Sequence, residues 1–195
     1  GYVAYTLRAN KVGHRARAQE IKIRDVAWLT LDAYRSLWSF LAGHDLVGRV
    51  LWENAPVDDP APHLFSEPRM LHSDEREGTW MRLIDVPAAL MNRGYLPAAE
   101  PTRVSFTIES DALAPWNEGT WALELDGQGG KAVNQVEPSK DSLTLSVKTL
   151  ASLYTGMHTA LELSQAGLIF GPLSAVQTAN AMFATYFKPH CPDHY

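Results

Sequence analysis

Four prolines, Pro56, Pro60, Pro62 and Pro68, crowd one short stretch of the chain. Each removes a backbone donor and holds φ near one value, so neither a long helix nor a central strand can run through that stretch. Regular structure must therefore be completed before it and begun again after it. The run Ser73 to Gly78, SDEREG, follows soon after and is charged with no apolar anchor. A boundary is placed there, which divides the chain into residues 1–76 and 77–195. A length of 195 residues allows one ordinary domain or two small ones, either with a real core.

Ahead of the prolines, Tyr2 to Leu7 alternates as a strand does, and it begins as though partner strands lay upstream. Asn10 to Gln19 is polar and reads as a loop. Ile21, Ile23 and Val26 to Leu29 make a second strand. Thr30 then stands as N-cap to a helix whose apolar positions Leu31, Tyr34, Leu37, Trp38 and Leu41 recur at helical spacing, with Gly43 at its end. Val47 to Trp52 reads as another strand.

Beyond the boundary, Trp80 to Asp85 reads as a strand, with Asp85 capping a helix that starts near Pro87 and runs through Arg93. Strands are expected at Arg103–Glu109, Thr120–Leu125, Ala132–Val136 and Leu143–Val147. The stretch Asp126-Gly127-Gln128-Gly129-Gly130 is the turn of a hairpin; it lacks the spacing and setting of a phosphate loop. The last third is helical. Leu150, Leu153 and Tyr154 share one segment, and Leu161 and Leu163 the next, which Gly167 ends. A final helix carries Val176, Ala179, Met182, Phe183 and Phe187 up to Pro189. Strands and helices thus come in separate runs, which predicts an α+β fold rather than a doubly wound sheet.

Composition narrows the function classes. Residues 1–95 carry 12 basic and 12 acidic side chains, whereas residues 96–195 carry 5 and 10, so the net charge of −5 lies wholly in the second half. An acidic surface argues against nucleic acid. It is the ordinary face of a soluble domain, and it would also suit a cationic substrate. A single cysteine, Cys191, rules out an intrachain disulfide and fits a reducing compartment. No apolar stretch approaches a membrane span, and no signal segment opens the chain. The first residue is Gly rather than Met, which suggests an expressed fragment.

Few residues carry chemistry of their own accord. The tail His190-Cys191-Pro192-Asp193-His194-Tyr195 is rich in polar groups. Adjacent His190 and Cys191 point apart, however, and zinc ligands need room to converge. A Cys191–His nucleophile pair lacks an identifiable oxyanion hole. Trp28, Trp38, Trp80, Trp116 and Trp121 are core or pocket wall, two roles that composition does not separate. The glycine-rich pyrophosphate signature Gln/Arg-x-x-Gly-x-Gly/Ala is nowhere in the chain.

The run Trp80-Met81-Arg82-Leu83-Ile84-Asp85-Val86-Pro87-Ala88-Ala89-Leu90, with Arg93 and Tyr95, resembles the W-x-R-L-[VI]-D-V-x-x-A-L-x-x-R-x-Y signature of Eis-like (enhanced intracellular survival) GNAT acetyltransferases. Asp111 followed by Asn117-Glu118-Gly119-Thr120-Trp121 is similar to that family's D…N-x-G-x-W pattern. Asp141, Leu150, Tyr154-Thr155-Gly156 and Ala166-Gly167 follow in the family's order. Upstream, Thr30 to Leu41 resembles its T-x-x-A-x-x-x-L-W-x-F-L helix.

The resemblance implies the rear part of a central GNAT-like domain over residues 1–76 and a sterol-carrier-protein-like mixed sheet with packed helices over 77–195. It implies a cytoplasmic C-terminal portion of an amine N-acetyltransferase, homo-oligomeric when full length. On this reading an N-terminal GNAT domain is a missing partner and no cofactor binds in this chain, acetyl-CoA being expected of the parent alone. The terminal carboxylate of Tyr195 would help deprotonate the amine substrate. Trp80 would wall the amine pocket, and His194 would stand where a relative carries an acidic residue. The rival expectation is a sterol- or lipid-binding carrier module, which needs an open apolar tunnel between sheet and helices.

Overall fold

The computed structural model describes residues 1–9, 19–76 and 78–192. The polar loop read at Asn10 to Gln19 falls, up to position 18, outside the described residues. The chain divides into two compact units, Gly1–Ala55 and Pro56–Tyr195.

In the first unit, β1 (Tyr2–Ala9) runs antiparallel to β2 (Gln19–Ala27), and β3 (Val47–Leu51) pairs with β2 in parallel. A parallel pair needs a crossover. Helix α1 (Leu31–Ala42) supplies it, beginning and ending where the sequence marks it. Thr30 Oγ1 accepts from Ala33 N, and the Gly43 N–H closes on carbonyls of the last turn. Ile21, Ile23 and Leu41 form the core, with Trp38 and Trp52 packed against it. Trp28 stacks at 4.6 Å on the buried Tyr34. Strand β2 stops at Ala27 rather than continuing to Leu29, which is 95% exposed.

The second unit starts with the proline-rich stretch, which holds only the single turn α2 (Ala61–Leu64) and a 3₁₀ turn at Pro68–Met70. Helix α3 (Val86–Asn92) follows. A mixed five-stranded sheet is then built from β4 (Thr102–Ile108), β5 (Gly119–Leu125), β6 (Lys131–Val136), β7 (Leu143–Leu145) and β8 (Ile169–Phe170), in the order β6-β5-β4-β7-β8. Only the β4–β7 pair is parallel. Helices α4 (Val147–Thr155), α5 (Ala160–Gln165) and α6 (Leu173–Met182) complete the unit. The α+β expectation is met, with mixed sheets in both units.

The β5–β6 turn is the one expected of its glycines. Asp126 Oδ1 accepts from Gln128 N and Gly130 N, while Gly127 and Gly129 take positive φ. The core lies where β4, β5 and β7 meet the helices. Phe106, fully buried on β4, meets Phe183 edge to face at 5.6 Å, and Phe183 meets Tyr95 at 5.8 Å.

Three expectations are corrected. Trp80–Asp85 is no strand: the carbonyl of Ile84 goes to side chains and that of Asp85 to the first turn of α3, not to a neighbouring ladder. Strand β7 ends at Leu145, because Ser146 Oγ accepts from Thr149 N and starts α4 one residue later. The last helix stops at Met182, well short of Phe187, because Phe183 leaves helical geometry and its carbonyl is taken by Arg93. Phe187 is left exposed.

Candidate functional site

The segment Trp80 to Val86 has a pattern no lone strand can satisfy: Leu83 and Val86 are buried while Trp80, Met81 and Ile84 are exposed. Two of its backbone groups are met by one fully buried side chain, Asn117. Asn117 Oδ1 accepts from Val86 N at 2.8 Å, and Nδ2 donates to Ile84 O at 3.1 Å. The same Nδ2 also donates to Asp111 Oδ2 at 3.0 Å. The Trp116 indole N–H adds a second donor to Ile84 O at 2.8 Å, and the Trp121 indole N–H donates to Asn117 O.

Asp111 is 4% exposed, and Arg82 Nη2 donates to its Oδ1. Ala114 N and Leu113 N also donate to Oδ1, and the backbone N–H of Asp111 goes to Glu118 Oε1. A buried carboxylate with this many donors stays ionised. The Asn117 amide, with Arg82 behind it, holds the Asp111 carboxyl below its ordinary range against the opposing effect of burial. The two motifs are therefore the halves of one polar lock, which leaves Trp80 at its free end, 83% exposed.

The far end of the same signature is a second lock. Arg93 lies buried and donates from Nε to Tyr154 O, from Nη1 to Gly94 O and from Nη2 to Phe183 O, all at 2.8–2.9 Å. Its guanidinium sits 4.9 Å from the centres of the Tyr95 and Phe183 rings. Tyr154 and Phe183 stand at the carboxyl ends of α4 and α6, where a cation meets the negative end of the helix dipole. Burial pushes the Tyr95 hydroxyl above its ordinary range, and it donates to Leu90 O. These groups are occupied with one another, so their part is structural.

Two open clefts, of about 510 and 340 Å³, lie where the β5–β6 hairpin meets residues 95–103. Their charged side chains are partnered within the protein: Arg103 with Glu124, Asp126 with its own turn, Lys131 Nζ with Arg93 O. Nothing there converges on a ligand. Val176, Ala179, Met182 and Phe183 belong to the buried core of this unit. Among the described residues no group of His, Cys, Asp or Glu is placed to hold a metal, and no helix is long and apolar enough to cross a membrane.

Of the residues the sequence singles out, Trp80 is at the surface, while His194 and Tyr195 lie outside the described residues. The tail before them is tied down. Lys188 N donates to Asp58 Oδ2 and Lys188 Nζ to Met157 O, with Cys191 exposed beyond. Trp28, Trp38 and Trp121 are half-buried, and Trp116 is exposed like Trp80. Sequence reasoning missed the pairing of Arg82 with Asp111. The signal was present, since a basic residue, an acidic residue and an amide sit inside the two motifs, but the 29-residue separation of the charged pair hides it.

A sterol carrier protein domain model matches residues 86–192, and an acetyltransferase (GNAT) domain model matches residues 1–86. An uncharacterized N-acetyltransferase of Streptomyces avermitilis is 35% identical over 176 residues, which is 88% of this chain and 41% of that protein. The N-acetyltransferase Eis of Mycobacterium tuberculosis is 33% identical over 147 residues, 74% of this chain and 34% of that one. The crystal structure of Eis1 from Mycobacterium abscessus superposes with a TM-score of 0.79 at 29% identity, covering 100% of this chain and 48% of its own. A GCN5-related N-acetyltransferase from Anabaena variabilis gives 0.74 at 26% identity, covering 96% of this chain and 45% of its own. The chain thus spans less than half the length of these relatives.

The match over residues 1–86 corrects three expectations at once. A GNAT domain is not a missing partner, because one is recognised within this chain. The chain is not to be read as the non-catalytic C-terminal portion of an acetyltransferase. Acetyl-CoA is no longer set aside as the concern of a parent protein alone. Those expectations leaned on the resemblance to a longer relative and on the missing pyrophosphate signature, which samples one loop, whereas a domain model weighs the whole span.

Proposed function

Because the chain belongs to the Eis-like GNAT N-acetyltransferase family, with its sterol-carrier-type domain, we propose that it serves the transfer of an acetyl group from acetyl-CoA to a primary amine. The observation that carries this is the succession of a GNAT domain match and a sterol carrier domain match along one chain. The donor supplies an activated acyl group. The amino end of α1, which follows β2 directly, does not fit its pyrophosphate: Ala33 N is already on Thr30 Oγ1, and Asp32 adds a carboxylate to that turn. No contact with the donor is assigned there.

On the amine side, three residues take the roles that the resemblance suggests. Trp80 offers an exposed indole face to an alkylammonium group, a contact that strengthens as water is excluded. The terminal carboxylate of Tyr195 takes the proton the amine must lose, a role open to a carboxylate only when it is positioned, since its ordinary pKa lies far below an amine's. His194 precedes it in sequence, where a relative carries an acidic residue, and attracts a polycationic amine less strongly than that acid would. We place the junction of the two domains between residues 76 and 77. The further reading of residues 1–76 as the rear part of a GNAT-like domain is supported by the parallel β2–α1–β3 crossover. A cytoplasmic, homo-oligomeric enzyme is the setting we propose.

The test is release of free thiol from acetyl-CoA by the purified chain, with and without spermidine. Release that depends on the amine is expected; a rate no higher than with the amine omitted overturns the proposal.

A further inference from the structure

Trp80 is a large apolar ring almost wholly in water, on a segment with no strand partner, yet the chain around it is not loose. Arg82, two residues on, is fastened to the buried Asp111. Ile84 O receives two donors, the Asn117 amide and the Trp116 indole. Val86 N is closed by Asn117 Oδ1. Every second residue from Arg82 to Val86 is thus tied by a polar bond, and each tie leads to the 111–117 loop. A segment that needed only to connect a boundary to α3 would not require a buried carboxylate and a buried amide. Both cost free energy unless fully partnered.

We propose that Arg82, Asp111 and Asn117 are positioning residues for the amine site, and that they act through Trp80 by holding the segment that leads from Trp80 into α3 in one course. This rests on the reading of Trp80 as a wall of the amine pocket. Arg82 is the adjustable member. Its side chain is 35% exposed, whereas that of Asp111 is 2% exposed. Losing Arg82 therefore loosens the Trp80 end while Asn117 still holds the Ile84–Val86 end to the fold.

The experiment labels the chain with 5-fluorotryptophan and assigns the Trp80 ¹⁹F line through Trp80→Phe. Spermidine is then titrated into the parent chain, Arg82→Gln and Arg82→Lys. In the parent, spermidine moves the Trp80 line. In Arg82→Gln the unliganded line is shifted or broadened and the apparent Kd rises by about five-fold or more. Arg82→Lys, which keeps the charge but not the fork, falls between. A cooperative urea transition and a Trp121 line that keeps its place on β5 show in both variants that the Pro56–Tyr195 unit remains folded; if Arg82→Gln unfolds, Arg82→Lys carries the comparison. A parent-like line and Kd in both variants overturn the positioning role. A Trp80 line that ignores spermidine in the parent overturns the amine-wall reading beneath it. The unliganded line of Arg82→Gln, read separately, tells the two failures apart.

Discussion

Asp111 shows how much a single residue can carry. Its carboxylate accepts from Asn117, Arg82 and the amides of Leu113 and Ala114, and those bonds favour the charged form. The folded-state pKa is therefore depressed below the unfolded value, with the Asn117 bond the largest cause. The sign follows: the contribution to stability is present above the unfolded pKa of about 4 and is lost as pH falls through the lower folded value. Asp111→Asn should thus be less stable than the parent chain at neutral pH in urea denaturation, with the difference shrinking once the pH is taken below about 4. A gap that stays constant down to acid pH would show that Asp111 is not held ionised.

At the scale of elements, caps and turns decide where helices start and stop. Thr159 and Glu162 form a reciprocal capping box at the start of α5, and the Thr159 N–H holds the Glu162 carboxyl below its usual range. Helix α4 ends on Gly156 at φ +76°, where a Cβ would come within 2.6 Å of Thr185 Oγ1. Glycine there serves two purposes, the left-handed turn and the close approach of the segment following α6. Gly156→Ala should cost about 2 kcal/mol or more, summing backbone strain and overpacking, and equilibrium unfolding in urea would read it. A loss below about 0.5 kcal/mol would mean that the Thr185 segment simply moves aside.

On the scale of the whole molecule, the sterol-carrier-type half is organised around a plug. Phe183 fills the space between Phe106 and Tyr95, and its carbonyl is gripped by Arg93, which also holds the end of α4. Phe183→Ala should lower stability by about 3–5 kcal/mol, as large-to-small changes at well-packed aromatics do, and should be measured against the same urea midpoint. A loss under about 1 kcal/mol would show that the surrounding helices close over the gap.

The sequence alone was enough for whatever depends on neighbours in the chain. The α1 caps at Thr30 and Gly43, the Asp85 cap of α3, the glycine hairpin at 126–130 and the separate runs of strands and helices are all local, and short-range sterics and hydrogen bonds set them. The same motif residues also carried the family. Tertiary structure decided the rest, because it turns on partners far away in sequence. Trp80–Asp85 reads as a strand, but Asn117 and Trp116, more than thirty residues on, take the carbonyl of Ile84, and Trp80 is left in water. The last helix could have run to Phe187, had Arg93, ninety residues earlier, not claimed the carbonyl of Phe183. A buried polar group must find its partner wherever the fold brings one, and sequence spacing holds no record of that distance.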